Sequence, residues 1–175
     1  MSSPAPVDRA AFRRLMGRWA TGVTVVSARH ADVDVGLTVN GFLSISLHPP
    51  SVLVSLMRDV DSLPIIERSG RFGVSVLAAD QRALSVRFAE TLAAPEKFRG
   101  VPVHRAPHGT PLLDGALGAL ECRVVARHSV FDHELLAGEV EYLELGPDGL
   151  PLVFFRSVYG ETEAPDRVRL PPGRA

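Results

Sequence analysis

Hydrophobic positions along the chain follow two periods. Near the start, Phe12, Leu15, Met16 and Trp19 recur at spacings of three, four and seven, which is one face of a helix. Asp8 stands where it can cap the opening turn, and Gly22 closes the pattern. From residue 23 the period falls to two. Val23 and Val25 alternate with Thr24 and Val26 toward His30, the polar pair Ala31-Asp32 turns the chain, and residues 33–38 return, which predicts a hairpin. The next strand, Phe42–Leu47, puts Leu43, Ile45 and Leu47 on one face and Phe42, Ser44 and Ser46 on the other. Pro49-Pro50 stops it, because proline lacks the donor a ladder needs. Residues 51–57 are almost continuously apolar and read as a strand buried on both faces.

Two short helices interrupt the strands. Ser62 is placed to cap one that carries Ile65 and Ile66 and ends at Gly70. After a strand over residues 72–77, Asp80 is placed to cap another, with Leu84, Phe88 and Leu92 at intervals of four. Two long β runs follow at 116–131 and 135–145, then a Pro147-Asp148-Gly149 turn and a strand over 152–156. About seven strands with helices outside them predict an α+β chain, mainly β, built as a β-barrel with helical excursions. The regular βαβ alternation of a doubly wound sheet is missing.

Composition narrows the options. The 175 residues carry 19 basic and 20 acidic side chains for a net charge of −1, so the basic excess of a nucleic-acid binder is lacking. Lys97 is the only lysine. Cys122, the single cysteine, cannot form an internal disulfide, and in its alternating strand it reads as a small buried hydrophobe. The first residues are polar and proline-broken with no signal-like core, and the longest apolar runs, 22–27 and 52–57, have strand length. The expectation is one cytoplasmic domain without a membrane segment. Its folded unit spans 8–160, with a disordered stretch at 1–7 and a tail at 161–175 that is flexible or strapped onto a neighbouring subunit.

Common catalytic signatures are missing from the sequence. There is no G-x-G-x-x-G after a strand, no G-x-x-x-x-G-K-[ST], no G-x-S-x-G and no H-E-x-x-H. His104 and His108 are four apart, but Pro102, Pro107 and Gly109 deny them the helix that would align two metal ligands, and no metal is expected. Chemistry must come from a borrowed cofactor or from a few polar side chains. The run Gly36-Leu37-Thr38-Val39-Asn40-Gly41 and the following Phe42–Ser46 gather hydroxyls, an amide and two glycines in one strand stretch. It reads equally as a surface that a flat ligand approaches closely and as a bulged strand with satisfied polar groups.

These residues carry a resemblance. Gly36-Leu37-Thr38-Val39-Asn40-Gly41-Phe42, Ser46-Leu47-His48-Pro49-Pro50 and Val52-Leu53-Val54-Ser55-Leu56 are similar to the signature of the flavin reductase-like family. Segments around Thr21-Gly22, Ser69–Phe72, Ser85–Ala89, Lys97-Phe98, Pro111–Leu113, Glu121–Val124, Asp132-His133, Gly138–Val140 and Phe155-Arg156 with Tyr159 follow in the same order. The resemblance covers residues 12–159. It departs at Gly41, where the family often has Ser or Ala, and at Ala20, where a proline commonly precedes the threonine.

The resemblance implies an FMN-binding split barrel. It assigns the flavin ring and ribityl chain to Thr38, Val39, Asn40 and Gly41, with Ser55, Leu56 and Met57 on the adjoining strand, and the phosphate end to Ser62, Arg87 and Phe88. A helix start and an arginine fork suit an anion, whereas Asp59 and Asp61 oppose one. It also brings His133 and Tyr159 to a nicotinamide nucleotide, with Asp132 setting the histidine tautomer. Without it, His133 reads as an exposed turn residue, and Arg13, Arg14 and Arg18 read as a solvated helix face. The implied activity is NAD(P)H-dependent reduction of FMN or FAD, by a homodimer that supplies reduced flavin to a separate flavin-dependent monooxygenase. Hydride passes directly between the cofactors, so no catalytic side chain is assigned. A flavin carrier or sensor without turnover is the alternative, and a barrel holding heme or pyridoxal phosphate a third.

Overall fold

The computed structural model describes residues 6–163. The expectations for the first residues and for the tail from 164 onward lie outside the described residues. Asp8 caps helix α1 (Arg9–Met16) as its position predicts, its carboxylate accepting from the Ala10 and Ala11 amides at 3.2 and 3.0 Å. The helix is shorter than its apolar spacing suggests, however, and stops at Gly17 rather than Gly22. The Gly17 carbonyl accepts from the Arg156 amide (2.8 Å), a contact from the far end of the chain that draws the backbone out of the helix and leaves Trp19 in the turn beyond it. No residue of α1 is buried.

The strands are β1 (Thr21–Gly22), β2 (Thr24–His30), β3 (Val33–Val39), β4 (Phe42–Leu47) and β5 (Pro50–Met57). Helix α2 (Ser62–Ser69) and β6 (Arg71–Val76) follow. A single 3-10 turn (Ala79–Gln81) leads into α3 (Arg82–Ala89) and α4 (Ala94–Phe98). The chain ends in β7 (Val103–Arg105), β8 (Pro111–Leu113), β9 (Gly118–Val130), β10 (His133–Leu145), β11 (Leu152–Phe155) and β12 (Val158–Glu161). The architecture is mainly β with helices outside the sheets, as the periodicity predicts.

Seven strands form one antiparallel sheet in the order β3-β2-β6-β9-β10-β5-β4, while β1-β11-β12 and β7-β8 make two small sheets. The predicted β2–β3 hairpin turns at Ala31-Asp32, both with positive φ. One core packs Val26, Val54, Leu56, Phe72, Val74 and Leu136 of the sheet against Leu63 and Ile66 of α2. A second joins Val23, Val25, Leu77, Phe88, Leu113 and Leu152.

Four local expectations are corrected. Asp61, not Ser62, is the N-cap residue of α2, and its side chain makes no capping bond. Gly70 does end α2, in the left-handed conformation (φ 66°) that glycine adopts without strain. Asp80 does not cap α3, because it lies within the 3-10 turn, whose entry is held by the Gln81 side chain accepting from the Ala78 amide (3.1 Å). Leu92 falls beyond the end of α3. The apolar strand β5 is buried on one face only. Val52, Val54 and Leu56 point into the core, while Leu53 and Ser55 are half-buried on the other face, where no layer of the described residues covers them.

Candidate functional site

A cavity of about 530 Å³ opens where the C-terminal ends of β3 and β5 meet the start of α2, the segment joining α3 to α4, and the tip of the β9–β10 hairpin. Strand β3 and the residue after it contribute Thr38, Val39 and Asn40, and β5 contributes Ser55, Leu56 and Met57. Ser62 and Phe88 also line it, and His133 stands at its mouth. Eight of the ten residues singled out from the sequence for the flavin, all but Gly41 and Arg87, and one of the two for the nicotinamide, His133 but not Tyr159, border this one space.

The wall is tied together internally. The Thr38 hydroxyl donates to the Ser85 carbonyl at 2.6 Å, and the Ser85 hydroxyl donates to the Tyr159 hydroxyl oxygen at 2.9 Å. Tyr159 thus sits behind the wall rather than in the cavity, packed edge-on against Phe154 with the Arg82 guanidinium over its ring. The Thr38 oxygen keeps capacity to accept a hydrogen bond from a ligand. Gly41 borders a neighbouring groove of about 650 Å³ that also includes Asn40, Ser55, Met16 and Trp19. Its carbonyl accepts from the Ser55 amide (2.9 Å), which ties the segment after β3 to β5.

Arg87 does not reach the cavity. Its Nη2 donates to the carbonyls of Glu96 and Arg99, both at 2.6 Å, so the guanidinium holds the end of α4 instead of offering a fork to a phosphate. The cation that lines the cavity is Lys97, the only lysine of the chain, whose Nζ donates to the carbonyls of Phe88 (3.1 Å) and Gly36 (3.3 Å). Burial lowers its pKa, while Asp61 and Glu90 raise it. Asp59, Asp61 and Glu90 all line the same space, so carboxylates outnumber ammonium there. Lys97 was visible in the sequence only as a lone lysine, and no local pattern placed it at the site.

His133 is oriented by its neighbour, with Nδ1 at 2.7 Å from Asp132 Oδ1, and that contact lowers the Asp132 pKa. The next residue, Glu134, is fully buried. Its carboxylate accepts from Arg127 Nε (2.7 Å) and the Ser129 hydroxyl (2.5 Å), with Arg58 Nε at 3.3 Å. Hydrogen bonds from Arg127 and Ser129 hold it down at about 2. This ionised group stitches the hairpin tip to the end of β5 and so fixes where His133 stands. It escaped the sequence reading because a lone glutamate in an alternating strand looks like a solvent-facing residue.

The other titratable groups lie away from the cavity. Cys122 is buried, and desolvation, with Glu121 next, pushes its thiol up to about 12. His104 sits between Asp114 (2.7 Å) and Glu144 (2.8 Å), and His108 pairs with the buried Glu121 at 2.9 Å. Each histidine thus has carboxylate partners of its own, and the two do not converge.

A family model described as flavin reductase-like domain matches residues 16–163. The chain belongs to that family. Over 155 residues it is 42% identical to an NADH-dependent flavin reductase of a Rhodococcus species, covering 87% of this chain and 85% of the relative. Over 157 residues it is 37% identical to the reductase subunit of a flavin-dependent monooxygenase of Mycobacterium tuberculosis, covering 89% and 83%. Among solved structures, the NADH:FAD oxidoreductase of Streptomyces globisporus in complex with NAD and FAD fragments superposes with a TM-score of 0.85 at 31% identity, covering 96% of this chain and 100% of that one. The match spans β1 through β12, so the whole cavity wall lies inside the flavin reductase-like domain.

Proposed function

We propose that this flavin reductase-like chain is an NAD(P)H-dependent flavin reductase, using FMN or FAD and delivering reduced flavin to a separate flavin-dependent monooxygenase. The observation that carries the reading is the convergence of Thr38, Val39 and Asn40 with Ser55, Leu56 and Met57 on one cavity, with an oriented His133 at its mouth. The residues fit a flavin. The strand walls are apolar at Val39, Leu56 and Met57, the polar groups are few, and the absence of a side chain at Gly36 leaves Phe88 in place as part of the lining. A bound flavin supplies the two-electron chemistry.

The chain's own task is binding and orientation. Thr38, Asn40 and Ser55 would meet the polar edge of the ring and ribityl chain, and the buried Ser62 with Lys97 the phosphate end. Arg87 leaves the assignment because it does not border the cavity and its Nη2 holds the Glu96 and Arg99 carbonyls, and Tyr159 acts through Ser85 and Thr38 rather than by contact. His133 would position the nicotinamide nucleotide. With three carboxylates facing one ammonium, phosphate is held weakly, which suits a flavin that must leave again.

The same reading includes a split barrel working as a cytoplasmic homodimer. Leu15 is 64% exposed and Trp19 70%, and with Met16, Leu43, Ile45 and Leu47 they leave an apolar surface around α1 and the edge strand β4 that a second subunit would cover. The direct experiment mixes protein with each of NADH and NADPH against each of FMN and FAD and follows nicotinamide absorbance. Oxidation above the rate without protein is expected. None with any of the four pairings refutes the activity, and flavin binding without turnover would instead indicate a carrier. His133→Ala should raise the KM for the nicotinamide nucleotide and leave the flavin Kd unchanged.

A further inference from the structure

Residue 131 occupies an unfavourable place for a phenylalanine on two counts. Val130 pairs with His133, so the β9–β10 hairpin turns on two residues, Phe131 and Asp132. Phe131 takes a positive φ of 53°, at a turn position where glycine is favoured because a Cβ crowds the backbone. Its ring is also 93% exposed, so packing against the described residues does not compensate. An exposed aromatic held in a strained turn points to a ligand.

The surroundings say which kind. A second, shallow cavity of about 490 Å³ is bounded by Met57, Arg58, Asp59, Phe131 and Asp132, and Met57 and Asp59 also line the first cavity. The two spaces therefore share a wall at Met57 and Asp59, with His133 beside it. Arg58 is tied to the hairpin tip, its amide donating to the Asp132 carbonyl (3.0 Å) and its Nη1 to the Phe131 carbonyl (3.5 Å). Its guanidinium reaches the Glu134 carboxylate, which Arg127 also holds while pairing with Glu67, and Asp59 and Asp132 border the same space, so the ring rather than charge is what this surface offers a ligand. An exposed aromatic face beside the candidate flavin cavity matches the adenine ring of a dinucleotide.

We propose that Phe131 is a stacking platform for the adenine ring of a dinucleotide whose reactive ring lies in the first cavity. This rests on the flavin reductase reading. The adenine has two sources, the nicotinamide dinucleotide and FAD, and the placement of Phe131 two residues from His133 serves either.

The test compares the wild-type chain with Phe131→Ala and Phe131→Trp under two sets of conditions. The first uses FMN as acceptor with NADH, and with reduced nicotinamide mononucleotide, which lacks the adenosine half. The second uses FAD as acceptor with reduced nicotinamide mononucleotide. Loss of a base-stacking ring is expected to raise the KM of the dinucleotide at least about fivefold at unchanged kcat, and Phe131→Trp should keep or lower it. If NADH supplies the adenine, Phe131→Ala weakens NADH with FMN and leaves the mononucleotide unaffected. If FAD supplies it, the effect follows FAD with the mononucleotide. Equal KM values for wild type and Phe131→Ala in both arms overturn the platform, as does a change of oligomeric state on size exclusion, which would mark Phe131 as a subunit contact. Turnover of the wild type with NADH or NADPH and FMN or FAD checks the underlying activity separately, since failure of all four pairings would sink the reductase reading rather than the platform. The ring touches little of the chain, so its truncation should leave the melting temperature nearly unchanged.

Discussion

Gly36→Ala separates close packing at the cavity wall from simple strand propensity. Gly36 lies on β3, where a Cβ would sit 2.8 and 2.9 Å from Cε1 and Cδ1 of Phe88 and 3.0 Å from Cζ of Phe98. These rings pack edge to face, centroids 4.9 Å apart at 73°, and Phe88 is fully buried in the second core, so neither ring withdraws freely. Overpacking of this kind costs about 1–3 kcal/mol, and the hard contacts on a buried ring argue for the upper half of that range. Replacing glycine restores about 0.4–1 kcal/mol by restricting the unfolded chain. The net loss is therefore about 1–2.5 kcal/mol, which lowers the melting temperature by roughly 2–10 °C for a chain of this size. The displaced Phe88 also lines the candidate flavin cavity, so flavin affinity should fall with stability. Thermal unfolding and flavin fluorescence titration measure the two effects. Gly160→Ala, where a Cβ meets nothing within 4 Å, is the control and should be neutral or slightly stabilising. A Gly36→Ala protein that melts at or above the wild type, while Gly160→Ala behaves as stated, would refute the packing argument.

Three further outcomes are expected. Glu134 is held at about 2, below its unfolded value near 4.5, so its stabilisation is present above pH 4.5 and lost as pH falls toward 2; Glu134→Gln should be less stable at neutral pH and show a flatter acid limb in denaturant titrations from pH 5 to 2. His104 has its pKa raised, chiefly by the hydrogen bond to Asp114 and also by Glu144, so its contribution is complete below its unfolded pKa near 6.5 and is lost as pH rises through the folded value; His104→Gln should remove that part of the fall in melting temperature above pH 6.5. Cys122, with its thiol pushed up to about 12, should not react with an aromatic disulfide reagent at pH 8 until denaturant unfolds the chain, and rapid labelling of the native protein would contradict its burial.

What could be read in the sequence was whatever depends on neighbours close along the chain. Asp8 at a helix start, the period-two runs of β2, β9 and β10, the Ala31-Asp32 turn and the Gly70 helix end are each set by backbone sterics and by one or two adjacent side chains. The Thr38–Asn40 and Ser55–Met57 stretches could be singled out because their composition is odd for strands and because the motifs resemble a family, and both do border one cavity.

The tertiary structure decided how these pieces face each other. It ended α1 at Gly17 through a bond from Arg156, and it left one face of β5 without a covering layer. It also turned Arg87 toward backbone carbonyls of Glu96 and Arg99, brought Lys97 to the cavity in its place, and buried Glu134 under two arginines and a serine. None of these is encoded by local periodicity. A charged side chain goes where its unmet hydrogen bonds can be satisfied, and the groups that satisfy them lie dozens of residues away until the sheet closes.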